Sequence, residues 1–376
     1  MWLLLTGCAS SLQTNPAGLE APMSRAMSST QARGVAVALI ENGQVVAVRS
    51  QGERNAGAAN TSGAPLQTDT VMYAASLTKA MFAYLLMQLV DEGRIDLDRP
   101  IAEYLDRPLP QYPDDRRYGP WSGLAGDDRW RRITPRILLT HSSGFANFAF
   151  LEPDGRLRMH FDPGTRYGYS GDGIMLLQFV IEQGLGIDVQ RELERRFFDR
   201  LGMTRTSATW RPDFAGNLAD GWDIDGKPQP HDERSRSRMA GSIDTTIDDF
   251  ARFAAAAVRG DGLSARARAE WVRAQLPITT AHQFPTWQLP ELPVEQRRPD
   301  LAAGLGVVVF DGPQGRGFYK GGHDDITGNL WVCVERGKRC VVILSNDVRA
   351  ERAYPALVRE LLGETGMPWD WEYNFP

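Results

Sequence analysis

Ser76 and Lys79 stand three residues apart in the string Ser76-Leu77-Thr78-Lys79. Residues so spaced share one face of a helix, so the hydroxyl and the amine can meet. The N-terminal end of a helix carries positive potential, which disfavours an ammonium and favours a developing alkoxide. A lysine desolvated there can be neutral near pH 7 and take the serine proton, which leaves a nucleophile for covalent catalysis. The spacing alone is weak evidence, because such pairs arise by chance on solvated faces. Two features raise it. The chain holds 42 basic residues, yet its only lysines are Lys79, Lys227, Lys320 and Lys338. The following stretch, Ala80–Val90, is apolar on nearly every side, so the helix it forms is buried all round and a lysine in its first turn needs a reason.

Other elements must hold that helix in place. Gly34–Ile40 and Gln44–Ser50 are β-branched and alanine-rich runs on either side of Glu41-Asn42-Gly43, a strong hairpin signal. The nucleophile helix is expected from Ser76 to about Glu92, closed by Gly93. Residues 104–132 are rich in Pro, Asp, Arg and Gly and are expected to form a long irregular surface segment. Thr134–Thr140 suits a short helix, with Thr134 as cap and Pro135 in the first turn. Ile174–Glu182 reads as an apolar helix. Asp248–Val258 reads as an amphipathic one, with Thr245 or Thr246 near its cap. Residues 276–300 contain five prolines and no clear period, and read as an irregular excursion. Leu305–Phe310, Leu330–Glu335 and Arg339–Leu344 are strand-like, and Tyr354–Leu362 is helical. Strands, a mainly helical middle, more strands and a last helix imply one sheet made by both ends of the chain.

With this order in hand, Tyr73-Ala74-Ala75-Ser76-Leu77-Thr78-Lys79 resembles the first motif of the serine β-lactamase and penicillin-binding protein superfamily. The likeness is to the branch of class C β-lactamases, family VIII esterases and D-peptidases. Asp96–Leu105, Ile133–Phe145, Pro163-Gly164-Thr165 with Tyr169-Ser170-Gly171, and Ala240-Gly241-Ser242 with Thr245–Phe253 agree with that branch in order and spacing. The resemblance covers about residues 30–365. It implies an α/β (α+β), β-lactamase/DD-peptidase-like fold: an antiparallel sheet from both chain ends, flanked by helices. The expected division is a signal and tether over residues 1–30, one catalytic domain over 31–365, and a C-terminal tail over 366–376. Within that domain, 31–75 and 240–365 form the sheet region and 76–239 the helical one.

The resemblance also implies roles. Tyr169 would share protons with Lys79, its phenolate serving as general base and later activating the deacylating water. Gly171 departs from the class C pattern, which has an asparagine there to hold the acyl-amide of a β-lactam or peptide. The third motif has two registers. One takes His323-Asp324-Asp325, with Asp325 in place of a glycine and the Ile326 N–H completing an oxyanion hole with that of Ser76. The other takes Lys320-Gly321-Gly322, with His323 as donor. Two adjacent carboxylates there would repel a substrate carboxylate, which Lys320 could offset. His141 is assigned to structure, because its motif lies away from the nucleophile in the family.

The bulk numbers remove other classes. A net charge of −5 with no long run of one sign leaves no footprint for nucleic acid. The cysteines, Cys8, Cys333 and Cys340, and the five histidines lack the spacing of a zinc site. No cofactor is implied. Leu5-Thr6-Gly7-Cys8 looks like a lipobox, which would tether an exported, periplasmic protein to a membrane through Cys8. The alternative is a cytoplasmic N-terminus. A two-residue turn at Arg336-Gly337 would set Cys333 opposite Cys340, as a disulfide or as two buried thiols. The expected activity is hydrolysis of small carboxylic esters through a Ser76 acyl-enzyme, favoured over β-lactams or cell-wall peptides by Gly171 and the acidic third motif. A binding module on the same fold is the competing class. Trp121, Trp130, Phe284 and Trp287 are candidates for an apolar acyl site.

Overall fold

The computed structural model describes residues 18–57, 62–285, 287–288 and 290–374. Cys8 lies outside these. The N-terminal helix α1 (Glu20–Thr30) leads into the hairpin β1 (Gly34–Glu41) and β2 (Gln44–Gly52). Asn42 and Gly43 turn it with φ of 50° and 71°, the left-handed pair that Asn-Gly adopts most readily. A short strand β3 (Met72–Tyr73) precedes the central helix α2 (Leu77–Asp91). The middle of the chain supplies α3 (Pro135–Leu139) and α4 (Gly171–Phe179). Strand β4 (Asp244–Thr245) pairs with β3 and leads to α5 (Ile247–Arg259). The chain then returns through β5 (Leu276–Pro277), β6 (Leu301–Ala303), β7 (Val308–Gly312), β8 (Gly315–His323), β9 (Gly328–Val334) and β10 (Arg339–Ser345). Helices α6 (Tyr354–Leu362) and α7 (Trp369–Tyr373) end it.

Among the described residues, these strands form an eight-stranded sheet in the order β2-β1-β10-β9-β8-β7-β6-β5. Every neighbouring pair is antiparallel. The first and last strands of the domain lie side by side, second and third in that order, where Val37 pairs with Ile343. Both faces of the sheet are covered. Ala36, Ala38, Trp331, Val342 and Leu344 face one core with α2, α4 and α5. Val35, Val37, Val332, Val341 and Ile343 face a second core with α1 and α6. Burial on both faces is why the central strands read as continuous apolar runs. Helix α2 lies inside the first core, with Leu77 through Leu89 all buried, as its all-round apolar pattern requires. Cys333 and Cys340 pair across β9 and β10 and form a disulfide.

Three expectations are corrected. Residues 20–30 are not a flexible tether: Leu19, Met23 and Ala26 are buried against the sheet. Residues 366–374 are not merely a tail: α7 buries Trp371 and Glu372. The segment 104–132 has few regular hydrogen bonds, but Leu109, Trp121, Leu124 and Trp130 anchor it in the core beneath the helical region. Its polar residues outnumber those anchors, so composition alone gave the wrong depth. Among the described residues, no helix is long and apolar enough to cross a membrane.

Candidate active site

The turn between β3 and α2 builds the centre. Ala75 holds φ at +46°, a left-handed conformation that is strained for a residue with a Cβ. The chain thereby reverses sharply into α2. Leu77 N–H donates to Ala74 O at 3.1 Å, and Thr78 Oγ1 donates to Ala75 O at 2.7 Å. Ser76 takes the cap position of α2 without capping it through its side chain. Its hydroxyl is left to the cleft, where Oγ lies 2.9 Å from Lys79 Nζ and 2.8 Å from Tyr169 OH.

The surroundings set the protonation of this trio. Burial, then the Lys320 charge, holds the Lys79 amine well below its ordinary value of 10.5. Burial pushes the Tyr169 phenol above its ordinary 10.0, opposed only by the Ser76 hydrogen bond. Tyr169 therefore rests protonated, and Lys79 gives up its proton more readily than an ordinary lysine. Burial thus disfavours the phenolate form expected of Tyr169: in this structure the phenol donates to Ser76 Oγ, while burial favours the neutral, proton-accepting form of Lys79. Lys79 also donates to Ala240 O. The Lys79 and Lys320 nitrogens lie 4.9 and 5.0 Å from the Tyr169 ring centroid.

Tyr169 is positioned from behind. Ser170 caps α4 by accepting the Gly173 N–H at 3.0 Å. The His141 ring lies against Tyr169 with centroids 4.4 Å apart, and its Nδ1 accepts the Ser170 N–H at 3.2 Å. Burial and the two lysines hold His141 well below 6.5, so it is neutral. The assignment of His141 to a place away from the nucleophile is thus corrected: its ring touches the tyrosine that touches Ser76.

The third motif resolves in geometry. Lys320, Gly321, Gly322 and His323 end β8, beyond the stretch that pairs with β7. Asp324 N–H donates to Thr327 O at 3.1 Å, so the next pair, His323 with Gly328, does not exchange ladder hydrogen bonds. The His323 N–H consequently points off the free edge of β8. Gly322 packs on the nucleophile turn, where a Cβ would fall 2.7 Å from Ala74 O and 2.9 Å from Leu77 N. The other register fails on hydrogen bonding. Ile326 N–H is taken by Asp324 Oδ1 at 2.9 Å, so Ile326 has no donor for an oxyanion. Asp325 is exposed on the turn. The His323 side chain faces away, towards Glu351, with Nδ1 and Oε1 3.3 Å apart. Burial opposes charge on His323, yet the Glu351 carboxylate outweighs it and raises the imidazole.

Ser76, Lys79, Tyr169, Lys320 and His323 line one cleft of about 780 Å³. The sequence reading missed much of its wall. Asn147, Phe148, Phe150 and Arg238 line it beside the start of α4, and Gln283 and Glu372 line it beside β8. Phe148 and Phe150 stack with centroids 5.1 Å apart. They follow the recognised 133–145 signature directly, so position in the chain was the available signal. Of the four aromatics expected at an acyl site, Phe284 lines the cleft. Trp121 and Trp130 lie in the core, and Trp287 stacks on His160 at 3.7 Å between centroids. Gly171 is covered, because a Cβ there would fall 2.4 Å from the Phe148 ring. Among the described residues, no group of three or more His, Cys, Asp or Glu converges to hold a metal ion.

Known proteins share this architecture. A β-lactamase/D-alanine carboxypeptidase from Pseudomonas syringae superposes with a TM-score of 0.70 over 92% of this chain and 98% of its own, at 16% identity. That likeness concerns the fold. A human beta-lactamase-like protein is 28% identical over 255 residues, which is 63% of this chain and 48% of that one. Lovastatin esterase of Penicillium rubens is 28% identical over 185 residues, 42% of this chain and 44% of the esterase. The chain thus spans about half the length of the curated relatives it matches. A family model described as Beta-lactamase matches residues 19–363, nearly the whole chain. By that match, and with Ser76, Lys79 and Tyr169 gathered at one cleft, the chain belongs to the beta-lactamase family.

Proposed function

We propose that the protein hydrolyses small carboxylic esters through an acyl-enzyme on Ser76. The observation that carries this reading is Ser76 Oγ held between Lys79 Nζ at 2.9 Å and Tyr169 OH at 2.8 Å. Neutral Lys79 takes the serine proton as Oγ attacks the ester carbonyl. The oxyanion develops between the backbone N–H groups of Ser76 and His323. The leaving alkoxide takes a proton from the Lys79–Tyr169 pair and departs as an alcohol. Water then attacks the acyl-enzyme, the same pair accepts its proton, and the acid is released with Ser76 restored.

Gly171 supports esters over amides. Its place holds no amide to grip a peptide-like side chain, and the Phe148 ring fills the space. Phe148, Phe150 and Phe284 offer an apolar surface to an acyl group. A second reading, hydrolysis of β-lactams or D-amino-acid peptides, uses the same acyl-enzyme. It is favoured by Lys320, whose ammonium could meet a substrate carboxylate in the same cleft.

Intact mass after exposure to a fluorophosphonate, and separately to a penicillin, tests both readings on wild type and Ser76→Ala. The expected result is a fluorophosphonate adduct on wild type, none on Ser76→Ala, and little or none with penicillin. Adducts with both reagents would move the assignment to the β-lactam reading. A folded wild type that forms neither would leave a binding module.

A further inference from the structure

The middle residue of Lys320-Gly321-Gly322 has no side chain, and another residue occupies its place. A Cβ on Gly321 would fall 2.0 Å from Glu372 Oε1. Glu372 arrives from α7, further along the chain, and lines the cleft together with Ser76 and Lys320. It is only 4% exposed. Its carboxylate accepts from Tyr319 OH at 3.1 Å and from Gln283 Nε2. Both partners are buried, so the carboxylate cannot swing aside without orphaning them. The helix is clasped too: Gln283 N–H donates to Trp371 O at 2.8 Å, and Trp371 Nε1 donates to Thr280 Oγ1 at 3.3 Å. The segments 276–300 and 366–374 therefore lock one another at the cleft. The acidic turn residues do not play this part, because Asp324 is occupied in capping Ile326 and Thr327 N–H groups at 2.9 and 3.0 Å.

The chemistry follows from charge. Lys320 would offer a substrate carboxylate an ammonium, but Glu372 already presents a fixed carboxylate on the adjacent backbone position. A second carboxylate brought there would be repelled at short range by a like charge that is itself largely shielded from solvent. We propose that Glu372 is a specificity-determining residue that bars substrates carrying a carboxylate against β8 and reserves the cleft for neutral esters. This inference rests on the Ser76 acyl-enzyme reading and names its substrate class.

The test compares kcat/KM for phenyl acetate with that for two anionic esters, 3-acetoxybenzoate (charge on the leaving group) and phenyl hemisuccinate (charge on the acyl group). In wild type, at least one anionic ester is expected to fall tenfold or more below phenyl acetate. Glu372→Gln should narrow that ratio at least fivefold. Glu372→Ala, which also empties the space over Gly321, should act in the same direction, so either variant can decide if the other fails to fold. Two anionic esters within threefold of phenyl acetate in wild type would overturn the inference. So would a penalty that persists unchanged in the folded variants. Fluorophosphonate labelling in parallel separates the layers: labelled Ser76 with an unchanged ratio overturns this inference alone, whereas an unlabelled wild type overturns the acyl-enzyme reading and this inference with it.

Discussion

A buried ammonium is an expensive neighbour, and this cleft holds two lysines within reach of one tyrosine ring. Their cost is uneven. Lys79 is driven well below its ordinary value, whereas Lys320 is held at about 8 by burial, with Glu372 pulling it back up. Lys320 thus keeps its charge at neutral pH, and the fold bears that charge. Its folded pKa lies below the unfolded value of 10.5, so between about 8 and 10.5 the unfolded chain binds more protons than the native one. Stability must rise with pH across that window. The penalty, about 3 kcal/mol at roughly 1.4 kcal/mol per unit, is fully present below about pH 8. Lys320→Met is therefore expected to gain stability over wild type near pH 7, and the gain should shrink as pH rises to about 10.5. Denaturant unfolding at a series of pH values measures it. A difference that does not change with pH would refute the placement of a charged Lys320 in this cleft. At this scale the sequence was informative where chemistry is rare. Ser76 and Lys79 stood out because lysines are few and their helix is apolar. His141 and Glu372 did not, because a lone histidine in an apolar string and a glutamate ten residues after the end of α6 look like structure and surface.

Elements carry these residues by close backbone contact more than by side-chain packing. For the proposed oxyanion hole, strand β8 must approach the β3–α2 turn closely enough for His323 N–H and Ser76 N–H to face one oxygen. Gly322 makes that approach possible, since a Cβ would meet backbone atoms at 2.7 and 2.9 Å that cannot rotate away. Gly322→Ala is expected to push β8 from the turn and lower kcat/KM on the order of 100-fold, about 2.7 kcal/mol of transition-state stabilisation. KM should change less than kcat, because the oxyanion contact strengthens as charge develops. Wild-type-like turnover of a neutral ester by Gly322→Ala would remove His323 N–H from the proposed oxyanion hole. Periodicity made most elements legible: the Asn42-Gly43 hairpin, α2, the Thr134-capped α3, and α5 with its Thr246 cap all lie within a few residues of expectation. The strand expected at Leu305–Phe310 instead begins at Val308, as β7, because Gly306 turns with φ of +75° against Ala83 of α2. That close approach is a tertiary fact. No local pattern announces it, just as none announced the left-handed Ala75.

At the scale of the whole molecule, both ends of the chain close over the same sheet, and composition disguised both. The polar, proline-containing start looked like a tether, and the short end looked like a tail. Yet α1 lays Leu19 and Met23, each 1% exposed, into the core formed by Val35, Val37, Leu39 and α6. Its few apolar residues fall on one side of a short helix, too brief a pattern to separate from chance without the sheet face beneath it. The site lies where the two cores meet, with Leu77 beside Ser76 in the first and Tyr169 in the second, and no residue of α1 lines the cleft. Stability and chemistry should therefore separate on truncation. A chain beginning at residue 31 loses Leu19 and Met23, whose burial is worth about 1.5–3 kcal/mol apiece, and uncovers the sheet residues below. Allowing for relaxation, a loss of about 3–5 kcal/mol is expected, or roughly 4–6 °C in melting temperature for a chain of this size. Below the lowered transition, turnover of a neutral ester per fluorophosphonate-labelled Ser76 should stay within about twofold of the full chain, since no atom of the trio has moved. An unchanged melting temperature would mean that α1 rests on the sheet without supporting it. Turnover that collapses in chains still folded by circular dichroism would mean that the outer core holds β8 in register, and that the sheet transmits the packing of its far face to the oxyanion donors.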